Sequence, residues 1–494
     1  MAVTRRGFLG AAAVIGTAGT AAIPVNGETV LLAPELRDGL WTSYYSNTRV
    51  WGYANKHSVR PGEPFDVMMS VGPGVKAVTG IIEIFRIGPC DGGDRKLIVR
   101  FDGVDVAQEK VKITSAALGT GWPAAVDMID TTGWESGYYT IDFVDAADKN
   151  RDLNVASIVV LPSVDDVDVL VLLSTNTYQA YNAWGGYSFY ESIFAGDWGQ
   201  MISFDRPTPP DFFGQEYFLV QWLEQMGSKY GWRIGYATNF DIHRDKTFVE
   251  SCRLLVSGCH NEYWSKEEFD HVYGRIFVQG KNTIFFGANS AYWQVRYADL
   301  DRPDGMESRG RHLICFKSMT DPIGGRVEAD EARLLKTAKF RDDARRSETM
   351  LAGVAYQSYF DASSLANYPY RVSTTDLPFF KGTGYNVGDT IGDVVGYEWD
   401  NRDPEGAGNR LWDAAKSRIP KLDEARLQVL FTGTPVDLNG KTGKAEAVYF
   451  ISEAGAHVFS TGTIRWAWGL GKPGFEREQF KRFNENLFRY FLDV

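Results

Sequence analysis

The run SGCHNEYWSKEEF (257–269) sets His260 two residues before Glu262 and follows them with Tyr263 and Trp264. An imidazole that carries a proton, beside a carboxylate that accepts one or grips a cation, supplies working parts of a hydrolytic site. Two further runs carry comparable groups. TNTYQAYNAWGGYSFY (175–190) holds Tyr178, Tyr181, Tyr187 and Tyr190, and GANSAYW (287–293) holds Asn289. Phenolate and carboxylate are hard oxygen donors suited to a hard ion such as ferric iron, and tyrosine is an axial iron ligand in some haem proteins. A bound cation would lower the pKa of a water and polarise a carbonyl, leaving histidine free to move protons. Other hydrolytic and nucleotide-binding patterns are missing: there is no GxSxG, HExxH or P-loop. GLGKPG (469–474) matches GxGxxG by letter, but it contains a proline and lacks an acidic partner at the right distance. Each candidate also has a plainer reading. Tyrosines in a Gly-rich loop line cores and rims, Glu262 could serve a helix start, and Asn289 could be a turn residue. His57, His243, His271, His312 and His457 lack such surroundings and read as structural.

These residues have to be positioned by strand ends. VDVLVLLST (167–175) is a nearly continuous apolar run, the mark of a strand covered on both faces. EYFLVQWLEQMG (216–227) has helical spacing, WRIGYAT and CRLLVSG follow as strands, and SKEEFDHVYGRIFVQG (265–280) is a helix. That helix opens on a capping box, Ser265 with Glu268, and stops at Gly280. NTIFFGA, LQVLFTG, EAVYFIS and AHVFSTG supply further strands before a closing helix, FEREQFKRFNENLFRYFL. Strands alternating with helices predict a doubly wound, mostly parallel α/β domain over 165–494, with a large insertion of illegible period at 300–427. In such sheets ligands bind at the carboxyl ends of the strands, so the three loops should converge. Residues 30–163 read differently: short β-branched and aromatic runs divided by Pro, Gly and Asp predict a β-sandwich, linked through LPSVDD (161–166). The fold class expected is therefore multidomain α+β.

At 494 residues the chain is long enough for two or three domains. Its formal charge of −11 disfavours nucleic acid and anionic membrane as partners. No apolar run in the body reaches membrane-spanning length, and nothing in the letters excludes a homo-oligomer. The first 28 residues contain Thr4-Arg5-Arg6-Gly7-Phe8-Leu9 before an Ala/Gly-rich stretch, which resembles a twin-arginine signal and predicts export to a periplasmic or extracellular location. Of the four cysteines, Cys252 and Cys259 would lie roughly 23 Å apart along an extended strand, too far for a disulfide.

The motifs TYQAYNAWGG…SFY, SGCHNEYWS, GANSAYW, GYEWDNRDP and HVFSTGTIRWAWG together resemble the large (beta) subunit of N,N-dimethylformamidase and its wider family, over roughly residues 165–494. The last motif is also similar to glutamine-amidotransferase-like sheet domains. The resemblance implies a mononuclear iron held by two tyrosines and one glutamate, and hydrolysis of an amide C–N bond. It implies Glu262 as the glutamate ligand, with His260, Asn289 and Glu398 in catalytic roles. For the tyrosine ligands it implies Tyr190 from SFY and either Tyr181 or Tyr178 from TYQAY. The expected function is thus an Fe3+-dependent amidohydrolase acting on a small amide or formamide. The rival is a non-catalytic extracellular module that uses its many aromatic residues to bind a glycan or a protein partner.

Overall fold

Val169–Leu173 is buried at all five positions, and its residues alternate between two cores. In the computed structural model it is an inner strand of a nine-stranded sheet. The structure describes residues 21–25, 28–32 and 49–493, other than 91–92, 113, 191–197, 208–211, 213, 215, 299–309, 326–333, 343–345, 363, 365–367 and 403–426. The arginine pair of the expected export signal lies outside the described residues.

The strands of the large sheet, numbered along the chain, are β1 (Val169–Leu173), β2 (Ile234–Thr238), β3 (Leu254–Ser257), β4 (Thr283–Phe285), β5 (Tyr368–Val372), β6 (Thr390–Val395), β7 (Gln428–Gly433), β8 (Ala445–Ile451) and β9 (His457–Ser460). Their order in space is β2-β1-β3-β4-β9-β8-β7-β5-β6. The four pairings from β2 to β9 are parallel, and the four from β9 to β6 are antiparallel.

This mixed sheet overturns the doubly wound, mostly parallel, glutamine-amidotransferase-like domain expected from the sequence; a β-rich multidomain fold takes its place. Connection length is the reason. A parallel crossover needs a dozen or more residues, whereas only 452–456 join β8 to β9. Those residues close a hairpin in which Ser452 N–H donates to Ala456 and Gly455 turns at φ +96°. The stretch 300–427 is likewise no mere insertion, since it supplies β5 and β6 to the main sheet.

Four helices matter to the site and its support: α1 (Thr175–Tyr181), α2 (Tyr217–Tyr230), α3 (Lys266–Phe277) and α4 (Glu478–Asp493). Helices α2 and α4 cover one face of the sheet: Leu219, Val220 and Leu223, with Phe483, Leu487 and Phe491, share one core with Val169, Val171 and Leu173, and Phe483 packs on Phe431 and Phe459. Helix α3 covers the other through Phe269, Val272 and Ile276 against Leu170 and Leu172. The capping box at its start is present: Ser265 Oγ accepts from Glu268 N–H and the Glu268 carboxylate accepts from Ser265 N–H. Helix α2 runs past Gly227 to a left-handed cap at Gly231.

Before β1 the described residues form an antiparallel pair, Ala21–Val25 with Glu28–Leu32, and two larger sheets. Val50–Ala54, Phe65–Val71 and Ala124–Ile129 make a three-stranded one. Ser58–Val59, Ala77–Cys90, Gly93–Ala107, Gly137–Asp145 and Arg151–Val160 make a five-stranded one. Both contribute to one core, including Phe65, Val67, Ile82, Ile84 and Ile141. Ile87, Tyr138 and Val159 of the five-stranded sheet pack into the core beneath α2. Arg86 forms a two-point ion pair with Glu224 of α2, at 2.9 and 3.0 Å.

Candidate active site

In the parallel half of the sheet the carboxyl ends of β1, β3 and β4 share one edge, and the chain leaves each end with unusual chemistry. After β1 comes α1, which ends on Tyr181, and the chain then turns at Gly185 and Gly186 (φ +81° and +77°) toward Tyr190. The guanidinium of Arg206, fully buried, donates to the carbonyls of Gln179, Trp184 and Tyr187 and so pins this loop from beneath. After β3 comes His260-Asn261-Glu262, where Glu262 N–H donates to Thr177 Oγ1 of α1 at 3.0 Å. After β4 comes Asn289, held in the left-handed region at φ +55° by its N–H donating to Asp400 Oδ1 at 2.9 Å. The second and third loops run so close that a Cβ on Gly287 would stand 1.9 Å from the carbonyl oxygen of Cys259, so only glycine fits.

A fourth segment closes the group. The short strand Glu398–Asn401, paired with Ala355–Tyr359, presents Glu398 and Asp400 two residues apart and therefore on one face. Asp400 grips the backbone of Asn289, while Glu398 Oε2 accepts from Asn289 Nδ2 at 2.7 Å.

At the centre lies the Glu262 carboxylate, 2% exposed. Tyr181 donates to its Oε2 at 2.8 Å and Tyr190 to its Oε1 at 2.6 Å. The two phenol rings stack with centroids 4.1 Å apart. His260 Nε2 stands 3.3 Å from Glu262 and 3.4 Å from Glu398, charge contacts rather than well-formed hydrogen bonds. Its Nδ1 lies 3.1 Å from the Tyr397 hydroxyl. Asn289 Oδ1 is buried and makes no hydrogen bond among the described residues.

The electrostatics follow from burial. Burial pushes the hydroxyls of Tyr181 and Tyr190 well above the usual phenol value, and the charge of Glu262 adds to the shift. Burial alone would raise Glu262, yet its contact with His260 holds it below the usual carboxylate value. Burial also disfavours a charged His260, but the facing carboxylates Glu398 and Glu262 outweigh it and lift the imidazole to about 10. Left to themselves, then, the phenols keep their protons and the imidazole keeps its charge.

Among the described residues no three His, Cys, Asp or Glu side chains gather to hold a metal. The donors that do converge are of another kind, two phenol oxygens on separate oxygens of one carboxylate. Phenol and carboxylate oxygens are hard donors of the kind that suit a hard cation. The residues present fit such an ion, which would take the place of the two phenolic protons.

Of the residues singled out from the sequence, Glu262, Tyr181, Tyr190, His260, Asn289 and Glu398 come together here. Tyr178 does not join them: it packs with Leu173 and Phe212, and its buried hydroxyl has no hydrogen-bond partner among the described residues. Sequence reading missed Tyr397, Asp400, Arg206 and Lys317, whose ammonium lies 3.2 Å from the centroid of the Tyr190 ring. Alternation in EWDN could have exposed Asp400 once that run was read as a strand; no comparable signal marks Arg206.

A family model described as N,N-dimethylformamidase beta subunit-like, C-terminal, matches residues 81–480. The chain belongs to this family. The matched span contains every residue of the cluster and reaches back into the five-stranded sheet. No curated protein matches the chain. Membership supports, at a coarse level, a hydrolase acting on amides.

Proposed function

We propose that this protein hydrolyses the C–N bond of a small amide or formamide at a mononuclear ferric centre held by Glu262, Tyr181 and Tyr190. The observation that carries the reading is the meeting of two phenol oxygens on the two oxygens of one buried carboxylate. A hard cation bound there would supply Lewis-acid polarisation of the amide carbonyl and a more acidic water.

The chain's own groups do the rest. His260, between two carboxylates, holds a proton at Nε2 and can deliver it to the departing amine nitrogen. Tyr397 fixes the ring from Nδ1. Glu398 is the proton acceptor opposite His260 and also orients the Asn289 amide. Asn289 Oδ1 is left to accept from a substrate N–H or water. Burial of His260, Glu262, Asn289 and Glu398 excludes bulk water and strengthens each of these interactions. The pair Arg5-Arg6 supports export by the twin-arginine route as part of this reading.

Protein purified without added metal should carry near-stoichiometric iron, show a visible tyrosinate–iron absorption band, and release amine from N,N-dimethylformamide. Glu262→Ala should lose all three. Stoichiometric iron retained in that variant would refute the ligand assignment, and a colourless, metal-free, inactive wild type would favour the binding-module reading.

A further inference from the structure

The side-chain amide of Asn289 can stand only one way round. Its neighbour at 2.7 Å is Glu398 Oε2, and an ionised carboxylate accepts without donating, so the nitrogen faces Glu398 and Oδ1 turns away from it. The residue is held at its root as well, since its backbone N–H is bound to Asp400. Oδ1 is left as an acceptor with no donor among the described residues, in a side chain 3% exposed. Ser290, next in the chain and 4% exposed, has its Oγ unpartnered in the same way. Buried polar groups left like this are exceptions that call for a reason.

The place of Asn289 in the cluster supplies one. His260 Nε2 and Asn289 Nδ2 approach the same oxygen, Glu398 Oε2, at 3.4 and 2.7 Å. On its other side His260 Nε2 stands 3.3 Å from Glu262 Oε2, which also accepts from Tyr181. The contacts thus run as a chain from Tyr181 through Glu262, His260 and Glu398 to Asn289. Proton delivery from His260 Nε2 requires the amide nitrogen within hydrogen-bond reach of it, and Asn289 shares that neighbourhood. In a trans amide the N–H and C=O bonds point in opposite directions. An amide whose oxygen lies toward Glu262 therefore sends its N–H toward Asn289.

We propose that the substrate keeps a hydrogen on the scissile nitrogen, as a primary or N-monosubstituted amide does, and that Asn289 Oδ1 accepts it. The proposal rests on the amidase reading for the reaction and on the orphaned acceptor for the specificity. An N,N-disubstituted amide would bring a carbon where a donor is needed and leave Oδ1 unpaired, so N,N-dimethylformamide is a poor substrate. The plain alternative is that Oδ1 takes its hydrogen bond from water, which predicts indifference to the N–H.

N-ethylformamide and N,N-dimethylformamide decide between them, because they are isomers and only the first has an N–H. Amine release by the full-length protein gives kcat/KM for each, and ligand-observed NMR titration reads binding apart from turnover. We expect N-ethylformamide to be favoured at least about ten-fold in kcat/KM and several-fold in binding. In Asn289→Gly, chosen because glycine accepts the φ of +55°, both rates should fall and the ratio between the isomers should approach one. The wild-type ratio needs no variant and guards against misfolding. Equality of the isomers in both readouts, or a ratio that survives Asn289→Gly, overturns the proposal. Tighter binding of N-ethylformamide with no amine released from either isomer sinks the amidase reading and leaves the recognition of N–H standing. Release of amine from both isomers without any preference does the reverse.

Discussion

Glu262 is constrained from three directions: its N–H is tied to α1, its two oxygens are each taken by a phenol, and His260 leans on one edge. Tyr181→Phe and Tyr190→Phe each delete one oxygen donor while sparing the stacked rings. Each should weaken iron binding by more than the roughly 10–100-fold that losing an outer partner costs, as read by metal analysis. Tyr178→Phe should leave iron content unchanged, because its hydroxyl touches none of the donors; a loss of iron there would make Tyr178 the ligand instead. His260→Ala should keep iron while kcat falls by about 10²–10⁴. At this scale much was legible. The H-x-E spacing and Asn289 announce themselves after apolar runs, whereas Glu398 entered only through family resemblance. The hold that Asp400 has on Asn289 was illegible, because it joins residues 111 apart in the chain.

Helix α3 shows what local chemistry can reveal. Its capping box is closed within four residues, and Ser265→Ala should cost about 1 kcal/mol in urea unfolding. Strand direction is a different kind of information. EAVYFIS and AHVFSTG read as strands in either orientation, and only the short link 452–456 says hairpin; that length outweighs the alternating rhythm that suggested a parallel sheet. Glu216, at the start of α2, supplies a test of how strand ends are tied together. Its Oε1 accepts from Ser174 N–H and Oγ–H at the end of β1, while Oε2 has no partner among the described residues. Burial raises this carboxyl from 4.5 to about 7. A raised carboxyl favours the protonated folded state, so its ionisation should erode stability as pH climbs from about 4.5 to 7 and cost a constant amount above that. Glu216→Gln keeps the acceptor and removes the charge. Its melting temperature should therefore exceed that of wild type at pH 8 and lose that advantage at pH 4; an advantage equal at both would show that the charge is not the cause.

The whole molecule joins sheets of separate origin, and the partly buried Arg86–Glu224 pair, braced by Tyr236 donating to the same carboxylate at 2.8 Å, fastens two of them. Arg86→Met should strand Glu224 and destabilise the protein by about 3 kcal/mol, visible as earlier proteolysis of the joint between the five-stranded sheet and α2. Composition and turn residues disclosed the β-rich character of residues 49–160, while the contribution of 300–427 to the main sheet stayed hidden because its strands lie in polar, Gly/Asp-rich sequence without a clear period and pair with register shifts at Tyr368–Arg371. The short strand that carries Glu398 and Asp400 comes more than two hundred residues after Tyr181. During synthesis, chain order then acts as a timer: the ribosome releases the phenols first and the clamp on Asn289 more than two hundred residues later, so the cluster closes only late in translation.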